Sequence, residues 1–577
     1  MLDCRIMGGS VVDGTGAPRR RADIGIRDGR IVAVGEVDES AKRDIDATGL
    51  VVAPGFVDIH THYDAQLFWD PTASPSPLHG VTTVIGGNCG FTIAPVVPQE
   101  ADYLMRMLAR VEGMPLESLE AGVPWGSWQT YGEWLDRLDG TIAVNAGFLV
   151  GHSALRRVVM GEGTGEAATD DQIARMVQLL HESLAAGGLG FSSSNAPTHN
   201  DASGQPVPSR AATRDELVAL ARAVRDHAGT TLEFIPTIGA FSEEHMDLMA
   251  SMSLAANRPL NWNVLGVNAQ NPDGHLQQLS ASDYAAAKGA RVVALTVPDL
   301  MRFRLSLLTG FILDALPGWR ETMALPPAEK MKVLSDPDER RRLNEGANSP
   351  AAGPLRGMAN WKHLTIAETF APENDGLSGR TVGEVAAERD QDPFDTVCDI
   401  AVADELRTGW LPRTGNDDDA SWQMRLGVWR DPRAVLGASD AGAHLDMIDS
   451  FTYTTALLGQ SVRERQLLPL EEAVHLLTDV PARLYGLRGR GRIEQGWQAD
   501  IVVLDEERVG PRRVYTRHDL PAGSGRLYGE ADGVEHVLVN GVEIATAGDF
   551  TGDRPGTLLR SGRDTDTVEV PGGAGRG

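Results

Sequence analysis

The chain has 577 residues and a formal charge of −27, from 80 acidic against 53 basic side chains, which argues against a nucleic-acid or anionic-membrane partner. With 42% apolar and 23% charged residues it has the composition of a folded protein, and no apolar run approaches the roughly 18 residues of a membrane span. Three cysteines, Cys4, Cys89 and Cys398, are too few and too odd for a disulfide framework, and Met1-Leu2-Asp3-Cys4-Arg5 opens without the regions of a signal peptide, so a cytoplasmic location is expected.

Taken in chain order, residues 4–34 alternate apolar and polar side chains around Asp28-Gly29, the signal of a tight hairpin. The middle of the chain alternates short β-type runs with longer helical patterns, as in parallel β/α units. Strands are placed near 51–62, 81–89, 142–152, 188–193, 231–236, 259–266, 291–297 and 434–440, which makes a (β/α)8 TIM-like barrel with insertions near 101–140 and 301–433. The first insertion reads helical. The second is a subdomain or a lid, because so long a connection is seldom structureless; its acidic run Asn416-Asp417-Asp418-Asp419 reads as a solvated loop. A β pattern returns at 499–505 and 536–544, the latter with an Asn540-Gly541 turn, and pairing of the two ends gives a small β-sandwich module. The domains expected are therefore 1–53 and 485–560 for that module, 54–484 for the barrel, and a tail over 561–577, Gly-rich, polar and frayed from about residue 565.

Three strand ends carry chemistry. His60 and His62 share one face of the first strand, in Pro54-Gly55-Phe56-Val57-Asp58-Ile59-His60-Thr61-His62, so both imidazoles point inward where barrel enzymes keep their sites. Together they form a candidate metal chelate, since two buried imidazoles need a cation or hydrogen-bond partner. Cys89, in Gly86-Gly87-Asn88-Cys89-Gly90, is a third candidate ligand, against the alternative of inert packing. Asp440, in Gly437-Ala438-Ser439-Asp440, is a metal ligand or a base for an activated water, against the alternative of a helix cap. His444 contacts substrate or orients Asp440. Cys4 and Cys398 read as core residues.

These motifs resemble the amidohydrolase superfamily, and within it the N-acyl-D-amino-acid deacylases, or D-aminoacylases. The match runs from about residue 5 to about residue 548 and includes Gly151-His152-Ser153-Ala154-Leu155-Arg156 and the closing Arg490-Gly491-Arg492-Ile493-Glu494-Gln495-Gly496. The resemblance implies a metal-dependent hydrolase of an amide C–N bond, with Zn²⁺ or another divalent metal as one or two ions. It assigns His60, His62 and Cys89 as ligands and Asp440 as catalytic carboxylate. Two departures sharpen this. Lysine occurs only at Lys42, Lys288, Lys330, Lys332 and Lys362, so a carboxylated-lysine bridge on the fourth strand is impossible. The relatives' metal-binding histidines on strands five and six are also missing, from Thr231-Leu232-Glu233-Phe234-Ile235-Pro236-Thr237 and Leu260-Asn261-Trp262-Asn263-Val264-Leu265-Gly266. Metal is then expected near His60, His62 and Asp440, completed by Cys89, Glu233 or water, with His152 a further ligand, oxyanion donor or structural residue.

An acylated amino acid carries a carboxylate, for which Arg156, Arg425 and Arg430 are candidate partners, each weighed against an ordinary surface or structural role. The insertion before Asp440 is expected to close over the substrate. The partner implied is a small molecule, with no nucleic acid or membrane and with homo-oligomerisation open. Two alternatives stand beside this reading: a hydrolase of a cyclic amide, another C–N bond or a lactone, and a non-catalytic scaffold.

Overall fold

The computed structural model describes residues 1–310, 312–413 and 415–572. Both chain ends enter one mixed nine-stranded sheet, in which Val51–Pro54 runs parallel to Leu2–Val11 and antiparallel to Ile501–Leu504. The predicted turns are where the sequence puts them. Asp28 and Gly29 take φ of 50° and 73°, and Asn540 and Gly541 take 47° and 76°. A two-residue hairpin loop needs both residues left-handed for its twist to match the strands. Ile24 and Ile26 from one end pack with Ile501, Val503 and Leu538 from the other in a core separate from the main one.

The central strands are β1 (Phe56–Asp58), β2 (Val81–Gly86), β3 (Asn145–Phe148), β4 (Gly190–Ser194), β5 (Thr231–Ile235), β6 (Leu260–Trp262), β7 (Val292–Thr296) and β8 (Ala434–Leu436). They lie in two parallel sheets, β1-β2-β3 and, after a break at Leu149, Val150–Gly151 followed by β4-β5-β6-β7-β8. Past β1 and β8, Thr61 and Ala441 form an isolated parallel bridge. There His62 N donates to Ala441 O at 2.8 Å and Asp440 N to His60 O at 3.1 Å. The predicted strand over 51–62 divides at Gly55, where a Cβ would stand 2.2 Å from Thr82: its first half joins the terminal sheet and its second is β1.

The first insertion is helical, as expected. Its leading helix α1 (Ala101–Val111) buries Leu104, Met107, Leu108 and Val111 in the main core. The second insertion is smaller than 301–433. Residues from Leu305 to Trp410 gather around their own apolar core, whereas α2 (Asp419–Trp429) places Trp422 and Trp429 in the main core, as a layer helix ahead of β8 does. The acidic run is correspondingly not just a solvated loop: Asp418 caps α2 by accepting from Ser421 N at 3.0 Å, and Asp417 accepts from Trp422 Nε1 at 2.8 Å.

The expected frayed tail is a correction. Thr565 and Val570 are buried, Thr565 Oγ1 donates to Gly229 O at 2.6 Å, and Gly572 N donates to Gly289 O at 2.7 Å, so the segment straps the ends from which β5 and β7 start. Residues 573–577 of the same expectation lie outside the described residues. Among the described residues no helix is long and apolar enough to cross a membrane.

Candidate metal centre and active site

The strand ends converge as their spacing requires. His60 and His62 follow β1 and are almost wholly buried, their ring centroids 5.4 Å apart. Cys89 follows β2 in a turn with φ +56°, between Gly87 and Gly90, which are also left-handed. Gly87 has no substitute there, because a Cβ would meet Leu149 O at 2.2 Å. The turn is fixed by Gly87 N donating to Asp64 Oδ2 at 3.1 Å, Gly90 N to Ser192 Oγ at 3.0 Å, and Cys89 N to the buried Glu233 Oε2 at 2.9 Å. Asp440 and His444, after β8, are also non-glycine residues with positive φ, 59° and 47°. Such backbone costs of order 1 kcal/mol or more per residue and is held only where the surroundings overdetermine it.

Ligand-type atoms meet at one point. Cys89 Sγ is 3.5 Å from His60 Nε2 and 3.9 Å from His62 Nε2. Asp440 Oδ1 is 2.9 Å from His62 Nε2 and 3.4 Å from His60 Nε2. Among the described residues His60, His62 and Cys89 are the group whose donor atoms lie within 4.8 Å of one another, in a geometry able to hold a metal ion. Asp440 keeps a quarter of its side chain exposed beside these buried donors, so it faces the opening.

The electrostatics favour a cation. Burial, then Glu233, Glu112 and Asp440, push the Cys89 thiol well above its usual range. Burial likewise raises Glu233 to about 8 and Asp64 to about 6. Burial opposes ionisation of Asp440 too, but its hydrogen bonds with His60 and His62 and their charge outweigh that and hold its carboxyl well below the usual range. For His62, burial is overcome by Glu112, Asp440 and Asp64, which raise it to about 10. So many acids around two imidazoles and a thiol are best neutralised by a divalent ion.

Two residues missing from the sequence reading take part. Glu112, just past the end of α1, sets Oε1 3.4 Å from His62 Nδ1 and its carbonyl oxygen against His444 N. Asn263, beyond β6, places Nδ2 3.1 Å from His60 Nε2, in the run that lacks the expected histidine. The only sequence signal for either was a polar residue beside an apolar stretch. Glu233 lies at the site, bonded to the Cys89 backbone. His444 is 3.9 Å from Asp440 Oδ2.

Other candidates are placed elsewhere. His152 bonds Ser193 Oγ at 2.8 Å and Glu216 Oε1 at 2.9 Å, and Arg156 grips both oxygens of the same carboxylate at 2.5 and 2.6 Å. Both side chains are wholly buried, so neither offers a surface to substrate; of the residues they hold, Ser193 packs against Gly90 of the Cys89 turn. Arg430 pairs with Glu472 at 2.6 Å on the surface. Arg425 bonds Asn416 O at 2.8 Å and lies over the Trp422 ring, lining a smaller cavity beyond β6 and β7.

An amidohydrolase-family model matches residues 43–300 and 333–545. The chain is 29% identical to the D-aminoacylase of Alcaligenes xylosoxydans xylosoxydans, over 97% of each chain. A solved D-aminoacylase structure, described by a binuclear metal centre with one-metal activation and second-metal attenuation, superposes with a TM-score of 0.63 at 26% identity, over 97% of this chain and 100% of that one. An N-acyl-D-glutamate deacylase from Bordetella bronchiseptica, complexed with zinc and a phosphonate mimic of the tetrahedral intermediate, superposes at 0.61 with 25% identity, over 97% and 100%. The chain belongs to the amidohydrolase family. It is a metal-dependent hydrolase, and the cluster of two imidazoles, a thiol and a facing carboxylate fits a divalent ion.

Proposed function

We propose that the protein removes the acyl group from N-acyl amino acids of D configuration, with His60, His62 and Cys89 as metal ligands, Asp440 as the catalytic carboxylate that also borders the metal, and Glu233, Glu112 and His444 around them. The convergence of Asp440 Oδ1 on both imidazoles beside Cys89 carries this reading. The similarity to deacylases of N-acyl-D-amino acids along the whole chain supports the substrate.

When bound, the metal supplies Lewis acidity for a water nucleophile and the scissile carbonyl. Asp440, kept ionised by His60 and His62 and partly open to the cleft, takes a proton from the attacking water and returns it to the leaving nitrogen. His62 is held from behind by Glu112, and Cys89 is held in its strained turn by Glu233. His444 lines the opening beside Asp440.

The same reading extends to architecture. The hydrogen bonds that tie the segments after β1 and β8 support a closed (β/α)8 barrel. The separate core shared by both chain ends supports a β-sandwich module, with 1–53 and 485–560 as its halves around the barrel of 54–484. The subdomain from 305 to 410 borders the opening, since its Ser306, Leu308, Phe370 and Arg407 line one cavity together with His444, which supports a covering role. Three buried free cysteines accord with a cytoplasmic location, and the acidic surface with a small-molecule partner rather than nucleic acid.

Elemental analysis of the wild type beside His60→Ala, Cys89→Ala and Asp440→Asn, with assays on paired N-acyl-D and N-acyl-L amino acids, tests this. Metal in the wild type, less in the ligand variants, and preferential cleavage of the D series are expected. Equal metal content and equal activity in all four proteins would sink the reading.

A further inference from the structure

Beside the metal cluster lies a chamber of about 500 Å³, within the size range of small-molecule sites. Six separate parts of the chain wall it: the end of α1 with the turn after it, the 304–309 loop, Phe370 and Arg407 of the second insertion, the His444 loop, and the 516–527 region near the C-terminus. His444 belongs both to this wall and to the active site, its ring 3.9 Å from Asp440 Oδ2. An occupant of the chamber therefore ends within one side chain of the catalytic carboxylate.

The wall chemistry selects that occupant. Met114, Pro115, Leu308, Phe370, Met447 and Leu527 give it an apolar surface, with two flexible thioethers that adapt to an irregular chain. Its four arginines each have an acidic neighbour: Arg110 pairs with Asp314, Arg304 with Glu368 at 2.9 Å, Arg526 with Asp519 at 2.8 Å and, more loosely at the surface, Arg407 with Glu405 at 3.5 Å. Its two acids are also engaged, Asp446 accepting from Thr309 Oγ1 at 2.6 Å and Glu117 from Ser524 Oγ at 2.8 Å. A free carboxylate entering here would displace existing ion pairs, whereas an uncharged chain would not.

Building on the deacylase reading, we propose that this chamber is the acyl subsite and that the protein acts on amino acids bearing a medium-length fatty acyl group. An acetyl group would leave most of the volume unfilled. Each methylene buried against the wall favours the longer substrate by up to about fourfold.

The test is a series of N-acyl derivatives of one D-amino acid, from acetyl to decanoyl, assayed with zinc-loaded wild type and with Leu308→Trp and Leu308→Asp. Leu308 is 38% exposed, so both variants are expected to fold. For the wild type kcat/KM should climb about threefold per methylene. The decanoyl-to-acetyl ratio should drop about tenfold or more in both variants, as bulk or charge enters the chamber. A flat chain-length profile in a wild type that hydrolyses the acetyl substrate overturns the acyl assignment and leaves the deacylase reading standing. Failure to hydrolyse any member overturns both.

Discussion

Glu112 Oε1 lies 3.4 Å from His62 Nδ1, on the side of the ring away from Cys89 and Asp440, so the first insertion reaches the cluster of His60, His62 and Cys89. A carboxylate behind a ligating histidine fixes the ring and raises its basicity. Glu112→Gln should weaken metal affinity by about 10- to 100-fold. Metal retained after dialysis and the absorption spectrum of the Co²⁺-substituted protein report it directly, and an unchanged spectrum would show that Glu112 only packs.

Asp440→Asn removes the proposed proton acceptor while keeping the shape of the side chain. The kcat should fall by about 10²–10⁴ with little change in KM. Steady-state kinetics with matched circular dichroism spectra check it, and a rise confined to KM would assign Asp440 to substrate binding.

The Cys89 thiol is held well above its usual range by burial and neighbouring acids, so it is protonated at neutral pH without metal. A cysteine ligates as thiolate, hence binding must expel that proton and affinity must rise with pH. Calorimetric titration with zinc in buffers of differing ionisation enthalpy should show about one proton fewer released by Cys89→Ala. A chelator should abolish hydrolysis and added zinc should restore it.

Arg156 is a structural cation, buried against Glu216. Arg156→Ala leaves that buried carboxylate with His152 as its remaining side-chain partner and should destabilise the protein by about 3–5 kcal/mol. KM should stay unchanged in whatever protein remains folded. A raised KM at normal thermal stability would return Arg156 to the substrate site.

His79 bonds Thr455 Oγ1 at 2.7 Å and Gly529 O at 3.0 Å, and burial lowers its pKa to about 4 from 6.5. The unfolded chain therefore binds the extra proton first, and stability contributed by the neutral ring is lost as pH falls from 6.5 toward 4. Between pH 7 and pH 5 the loss from this residue is about 2 kcal/mol. Urea midpoints at the two values should differ less in His79→Gln than in the wild type; parallel shifts would rule His79 out as the source.

Some of this was legible along the chain because it depends on local geometry. The Asp28-Gly29 and Asn540-Gly541 turns follow from which residues tolerate left-handed backbone, and the shared face of His60 and His62 from the pitch of a strand. The missing lysines excluded one type of metal bridge without any structure at all.

Tertiary structure decided whatever needs two distant segments to meet. Glu112 at His62 and Glu233 at the Cys89 backbone join residues far apart in sequence, and nothing near either acid announces its partner. Arg156 could not be sorted from a substrate-binding arginine until Glu216 was seen across from it, and the tail looked frayed until its bonds to Gly229 and Gly289 appeared. The physical reason is the same throughout: φ preference and side-chain period belong to a residue and its neighbours, whereas burial, charge pairing and cavity shape belong to the packed chain.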